Sequence, residues 1–303
     1  MTEEIAVRLA VPYPDKLSSY MQDQGLAFYP EPIPDSVSAR CAMITFKPQI
    51  EESLSRYEWV HVGGAGIDAV RRMLLGANVN PILTRTIGAM GKQIAEYCLS
   101  YILADLQKHD FRAAQQQRKS WDMGAAEGKM LFETDVAILG VGGTASDIAQ
   151  CLKPLCRSVI GYGRSARPRD GFHEVRKLSE FVGSPIVINA LPATPETDRI
   201  AGSDFFRHLD QALFINIGRG ATVDDKALLE ALDRGYVRQA VLDVFHKEPL
   251  PEDHPFWSHD KIAVSPHTSG ITRPADIAAA FLRHLPDFRN GTLTSTVDLM
   301  QGY

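Results

Sequence analysis

Six short apolar runs recur at intervals from Val136 onward: "VAILG", "VIGYG", "IVINA", "LFINIG", "AVLDVF" and "IAVSP". Each is continuous rather than alternating, which predicts strands covered on both faces, and helical or loop segments separate most of them. Repeated β-α units of this kind predict a doubly wound parallel sheet. In such sheets ligands gather at the carboxyl ends of the strands, where residues remote in sequence converge. The runs end in informative residues: "NIGRG" in an arginine between two glycines, "LDVFHKEPLP" in Asp243 and Glu248, and "VSPHTSG" in His267. A forked, permanently charged guanidinium suits an anion. A histidine beside a carboxylate supplies a proton donor held in its protonated form.

The first run leads into "VAILGVGGTASDIAQCLKPL", where Gly140, Gly142 and Gly143 follow a strand and open a helical pattern, with Ala145 in the third glycine place. That context fits the dinucleotide fingerprint, in which glycines let the backbone approach a pyrophosphate bound at the helix amino terminus. About twenty residues further an NAD site calls for an acidic residue on the ribose. Here "GYGRSARPR" puts Arg164 and Ser165 there, which favours the 2'-phosphate of NADP(H), with NAD(H) as a second cofactor.

Before Val136, "IAVRLAV", "AMITF" and "WVHV" read as strands of a smaller α/β domain. Residues 93–109 carry apolar positions at helical spacing on a broad face, which predicts a long helix packed on both sides. The polar stretch that follows, "DFRAAQQQRKSWDMGAAEGKML", reads as an excursion from the core and a subunit contact. A last helix is expected over residues 272–288. The domains expected are 1–96 plus 274–303 for substrate and 97–273 for dinucleotide.

The 303 residues carry a net charge of -5, with no clustered basic surface, so neither nucleic acid nor an anionic membrane is expected as a partner. Four cysteines without paired spacing predict reduced thiols in a cytoplasm and neither disulfide nor metal framework. The acidic start "MTEEIAVRLAV" argues against a signal peptide. No apolar run reaches membrane-spanning length.

The order of glycine turn, "LPATPETDRI", "NIGRGATVDDKALLEAL", "LDVFHKEPLP" and "SPHTSG" closely resembles the D-isomer-specific 2-hydroxyacid dehydrogenases, and "WVHVGGAGID" matches that family's substrate loop. Within the family, "MGKQIAEYCLSYIL", the basic "GRS", "DHPFWSHD" and the terminal "GY" look most like bacterial glyoxylate/hydroxypyruvate reductases of the NADPH-preferring kind. The resemblance implies a Rossmann-type sheet plus a smaller flavodoxin-like α/β substrate domain, in a homodimer. It implies that Arg219 grips the substrate carboxylate and keto oxygen, that His267 gives the proton, and that Glu248 pairs with His267. Gly64, Ala65 and Gly66 are implied to cradle the carboxylate. Gly140, Gly142, Gly143, Thr144, Arg164, Ser165, Leu191, Pro192, Thr197, Ile217, Asp243 and His267 are implied to line the cofactor, with Asp243 at its nicotinamide end.

Other readings stand beside these. Asp243 also suits a turn cap, "GGAGID" a tight connection before a helix at Asp68, and Trp257 either core or a pocket wall from a neighbouring subunit. His246 is expected to be exposed. The reaction expected is reduction of small 2-keto acids, glyoxylate to glycolate and hydroxypyruvate to D-glycerate. Its rivals are a reductase of a bulkier acid such as phenylpyruvate or ketopantoate, and a dinucleotide-sensing, corepressor-like binding protein.

Overall fold

The structure, a computed structural model, describes residues 4–46, 52–88 and 90–300. The terminal "GY" therefore lies outside the described residues. Two compact units emerge, one of residues 1–89 and 272–303, the other of residues 90–271. The first contains β1 (Ile5–Ala10), α1 (Pro14–Ser19), β2 (Leu26–Tyr29), β3 (Arg40–Thr45), β4 (Trp59–Val62), α2 (Asp68–Gly76) and β5 (Ile82–Arg85). Its strands are parallel in the order β2-β1-β3-β4-β5, which is the flavodoxin-like arrangement. Alternate side chains of β1 feed two cores: Ile5, Val7 and Leu9 on one face, Ala6 on the other.

The second unit runs α3 (Met90–Leu106), α4 (His109–Arg118), α5 (Met123–Ala126), β6 (Asp135–Leu139), α6 (Gly143–Leu152), β7 (Ser158–Gly163), β8 (Glu174–Lys177), β9 (Ile186–Asn189), α7 (Ser203–Phe206), β10 (Ala212–Asn216), α8 (Asp225–Arg234), β11 (Val237–Leu242) and β12 (Ile262–Val264). Its parallel sheet has the order β12-β11-β10-β9-β6-β7-β8. The chain enters at β6, winds outward to β8, then crosses back to β9, so the switch point lies between β6 and β9. The two faces divide cleanly. Val136, Ile138, Leu213 and Ile215 join α3 and α6, whereas Leu139, Val187 and Phe214 pack with Leu228 and Leu232 of α8. The chain closes with α9 (Pro274–Arg289) on the first unit, where Phe281 stacks on Trp59 of β4 at 4.1 Å.

Several elements differ from the expectation. β2, β5 and β8 were not foreseen; β8, "EVRK", is an edge strand whose charged residues carry no apolar signal. The polar excursion contains α4 and α5. α3 ends at Leu106 because Lys108 takes a left-handed backbone, φ 51°, and restarts the chain as α4. Within its unit α3 buries one face only, through Ile94, Cys98 and Ile102, and leaves Lys92, Glu96 and Leu103 exposed. The whole helix belongs to the second unit, whose contacts begin at Met90 and end at Ile271, where the expectation divided it at 96/97 and returned at 274. Among the described residues no helix is long and apolar enough to cross a membrane.

Among the described residues, one buried core histidine couples folding to pH. His61 on β4 is fully buried between the hydroxyls of Thr84 and Thr86, at 2.7 and 3.0 Å. Burial, with His284 adding to it, pushes its pKa down to about 3. The folded state thus binds fewer protons than the unfolded chain below the ordinary value of 6.5. Stability from this group is complete above that pH and falls as pH decreases, by up to about 1.4 kcal/mol per unit. Urea midpoints measured from pH 7.5 to 4.5 should decline. His61→Asn should lessen the decline, leaving the contributions of His284, which burial also lowers, and of carboxylates held below their usual range such as Asp135 beside Arg157.

Candidate active site

Strand ends on either side of the switch point carry the candidate residues. β10 is entirely buried through Asn216, and Ile217 continues into the core at 7% exposure. Arg219 follows in extended backbone, half-buried, before a short turn at Gly220–Thr222. Its flanking glycines are explained by close approach. A Cβ on Gly218 would lie 2.7 Å from the Leu191 carbonyl oxygen after β9, and one on Gly220 would lie 1.9 Å from the Phe245 carbonyl carbon after β11. Three strand-end loops thereby touch backbone to backbone around Arg219. The glycines are there for these contacts, which fix the arginine's stem.

Beneath that arginine lies a buried polar network that the sequence reading missed. Asn189 and Asn216, ending β9 and β10, are 0% and 1% exposed, and Thr222 is 0% exposed. The Asn189 amide donates to Asn216 Oδ1 at 3.0 Å and to Thr222 Oγ1 at 2.7 Å. The Thr222 hydroxyl donates to the Arg219 carbonyl at 2.7 Å, and the Gly218 and Leu191 amides donate to Asn216 Oδ1 and Asn189 Oδ1. The available signal was an asparagine ending two otherwise apolar runs, since such a residue stays buried only if satisfied.

Glu248 and His267 come together. The His267 ring pairs through Nδ1 with Glu248 Oε2 at 2.8 Å, while Glu248 Oε1 accepts from the Phe245 amide at 3.0 Å. Both side chains are partly open to solvent. Asp243 is fully buried, its carboxylate accepting from the Ser265 hydroxyl and the Thr268 and Ser269 amides at 2.5, 2.8 and 3.0 Å. His246 is exposed, with Nε2 on the Val223 carbonyl at 2.7 Å, and Trp257 is 52% exposed.

The glycine turn sits at the switch point. Gly140 has φ 98°, closed to most side chains, and its amide donates to the Tyr162 carbonyl. Beyond it Gly142 and Gly143 face open space, with nothing within 4 Å of an added Cβ. There α6 begins, presenting first-turn amides that have no acceptor inside the helix. Ala145 is packed against the sheet at 2% exposure. Free amides at a helix start are the kind of donors that hold a pyrophosphate, and Thr144 belongs to the same first turn. Arg164 and Ser165 are exposed after β7. The Thr194 hydroxyl, a backbone amide and, last, the Arg164 guanidinium hold the Glu196 carboxyl below its usual range. Leu191 is buried, whereas Pro192 is exposed and accepts from the Thr197 hydroxyl at 2.6 Å.

In the first unit, Gly64, Ala65 and Gly66 follow β4. Phe46 packs against Gly63 and Gly64, and Arg85 of β5 donates to the Ala65 carbonyl at 2.9 Å. The loop leads into α2 at Asp68.

A doubly wound sheet with a glycine cradle at its switch point and a histidine–carboxylate pair at its strand ends defines a nucleotide-dependent oxidoreductase class. Residues 99–269 match the profile of the D-isomer specific 2-hydroxyacid dehydrogenase NAD binding domain. Curated relatives include glyoxylate/hydroxypyruvate reductase A of Photorhabdus laumondii, 33% identical over 89% of each chain, and that of Serratia proteamaculans, 34% identical over 82% of each. Among solved structures, a D-isomer specific 2-hydroxyacid dehydrogenase from Xanthobacter autotrophicus, in complex with NADPH and MES, superposes with a TM-score of 0.88 at 26% identity, covering 100% of both chains. The chain belongs to the D-isomer specific 2-hydroxyacid dehydrogenase family and is an NAD(P)-dependent enzyme of it.

The loop contact at Gly220 can be checked directly. Gly220→Ala should force the loops after β10 and β11 apart and cost about 1–3 kcal/mol, read as a lowered thermal midpoint. An unchanged midpoint would mean that the two loops do not meet there.

Proposed function

We propose that the protein reduces small 2-keto acids with NADPH, glyoxylate to glycolate and hydroxypyruvate to D-glycerate. The observation that carries this reading is the 2.8 Å bond between His267 Nδ1 and Glu248 Oε2. It commits Nδ1 and leaves Nε2 to give a proton to the keto oxygen. Arg219 binds the substrate carboxylate and the keto oxygen, offsetting the charge that grows on that oxygen. The amides of Gly64, Ala65 and Gly66 are assigned to the substrate carboxylate. The nicotinamide supplies the hydride. Gly140, Gly142, Gly143 and Thr144 hold its pyrophosphate, Arg164 and Ser165 its 2'-phosphate, and Leu191, Pro192, Thr197 and Ile217 line its remaining length.

Two findings support the substrate and cofactor. The curated relatives are named as reductases of glyoxylate and hydroxypyruvate, and the Xanthobacter relative was solved with NADPH. A cytoplasmic location accords with four free cysteines. Self-association as a homodimer accords with the exposed Trp121, Met123 and Phe132 beside α5, at 91%, 74% and 65%.

Steady-state rates with glyoxylate, hydroxypyruvate, phenylpyruvate and ketopantoate test the substrate. The two small acids should have the highest kcat/KM, and negligible turnover of both sinks the proposal. Arg219→Ala should lower kcat/KM on the order of a hundredfold while NADPH fluorescence titration stays near wild type. Arg164→Ala should raise KM for NADPH about tenfold and leave that for NADH unchanged. A sensor without enzymatic function would show no turnover even before these changes.

A further inference from the structure

His267 takes an unusual backbone, with φ 56°, a region that residues bearing a Cβ disfavour. Something must hold it there. Three consecutive amides, those of His267, Thr268 and Ser269, converge on one residue, Asp243. The first donates to its carbonyl at 2.9 Å and the others to its two carboxylate oxygens at 2.8 and 3.0 Å. Successive amides around a left-handed residue form a concave anion site, and the anion here is the chain's own carboxylate.

Behind the carboxylate runs a second line of hydrogen bonds. Ser265 Oγ lies 2.5 Å from Asp243 Oδ1, and Tyr97 Oη of α3 lies 2.6 Å from Ser265 Oγ. An ionised carboxylate only accepts, so the serine hydroxyl donates to it and therefore accepts from the tyrosine. Tyr97 is the neighbour in sequence of Cys98, a fully buried thiol whose pKa is raised by burial and by the Asp243 charge. Burial takes the Asp243 carboxylate out of water, and its three donors are what offset that loss.

We infer that Asp243, backed by Ser265 and Tyr97, is a positioning residue that clamps the His267 loop in the left-handed turn from which the imidazole meets Glu248. This rests on the reading of His267 as proton donor. It gives Asp243 work that needs no contact with the cofactor, and it gives α3 a direct connection to the reacting histidine.

Ser265→Ala, Ser265→Thr and Tyr97→Phe test the clamp with little change of volume, beside the harsher Asp243→Asn. Ser265→Ala and Tyr97→Phe should each lower kcat about fivefold or more, with KM for the keto acid and the dissociation constant of NADPH within about twofold of wild type. Ser265→Thr, which keeps the hydroxyl, should restore the rate. Proton NMR of the imidazole reads the clamp without turnover: the downfield Nδ1 proton shared with Glu248 should be sharp in the wild type and lost in Ser265→Ala and Asp243→Asn. The inference is overturned by full kcat in Ser265→Ala, by a loss confined to NADPH affinity, by a threonine variant as slow as the alanine one, or by an imidazole signal that ignores all the changes. A wild type that reduces no keto acid, yet whose imidazole signal responds as described, overturns the reaction and leaves the clamp standing.

Discussion

The contact on which the rest of the second unit's site depends is one between main chains. Gly218 and Gly220 bring the loops after β9, β10 and β11 so close that a single methyl group would collide with peptide atoms at 2.7 and 1.9 Å. Parallel strands set their ends side by side, but loops with ordinary side chains would splay apart. With glycine at these two places the loops close up, and Arg219 is held over a contact patch that also leads, three residues past Phe245, to Glu248.

Around that patch the protein uses buried polar groups as fixed brackets. Asn189, Asn216 and Thr222 hold the arginine loop, and Asp243 holds the histidine loop. Buried polar atoms are costly unless satisfied, so each bracket tolerates few alternative geometries. The strands beneath are almost wholly apolar and tightly packed, which makes them a stiff base for these brackets. Rigid strands, satisfied polar ends and short loops are the means by which a parallel sheet can hold charged side chains at a chosen place.

Much of this was legible beforehand, and the reasons are specific. Continuous apolar runs announced β6, β7, β9, β10, β11 and β12 because a strand covered on both faces leaves no other pattern. β8 escaped notice because an edge strand needs no apolar run, and the break between α3 and α4 because Lys108 carries no sign of its left-handed backbone. Arg219, Glu248 and His267 were readable from their places at strand ends and from the family resemblance. Asn189, Asn216, Ser265 and Tyr97 were not, since a hydroxyl or amide looks alike in sequence whether it faces water or a buried partner.

By itself, then, the sequence determined the strand-and-helix rhythm, the glycine cradle, the basic residues after β7 and the family, because these are local patterns of periodicity, backbone freedom and charge. Only the tertiary structure decided why the arginine is flanked by glycines, which nitrogen of His267 meets Glu248, and what holds that histidine in a left-handed turn. Those depend on atoms brought together from far along the chain, Tyr97 against Ser265 or Gly220 against Phe245. No local pattern encodes such a meeting; packing of the sheet and its helices creates it.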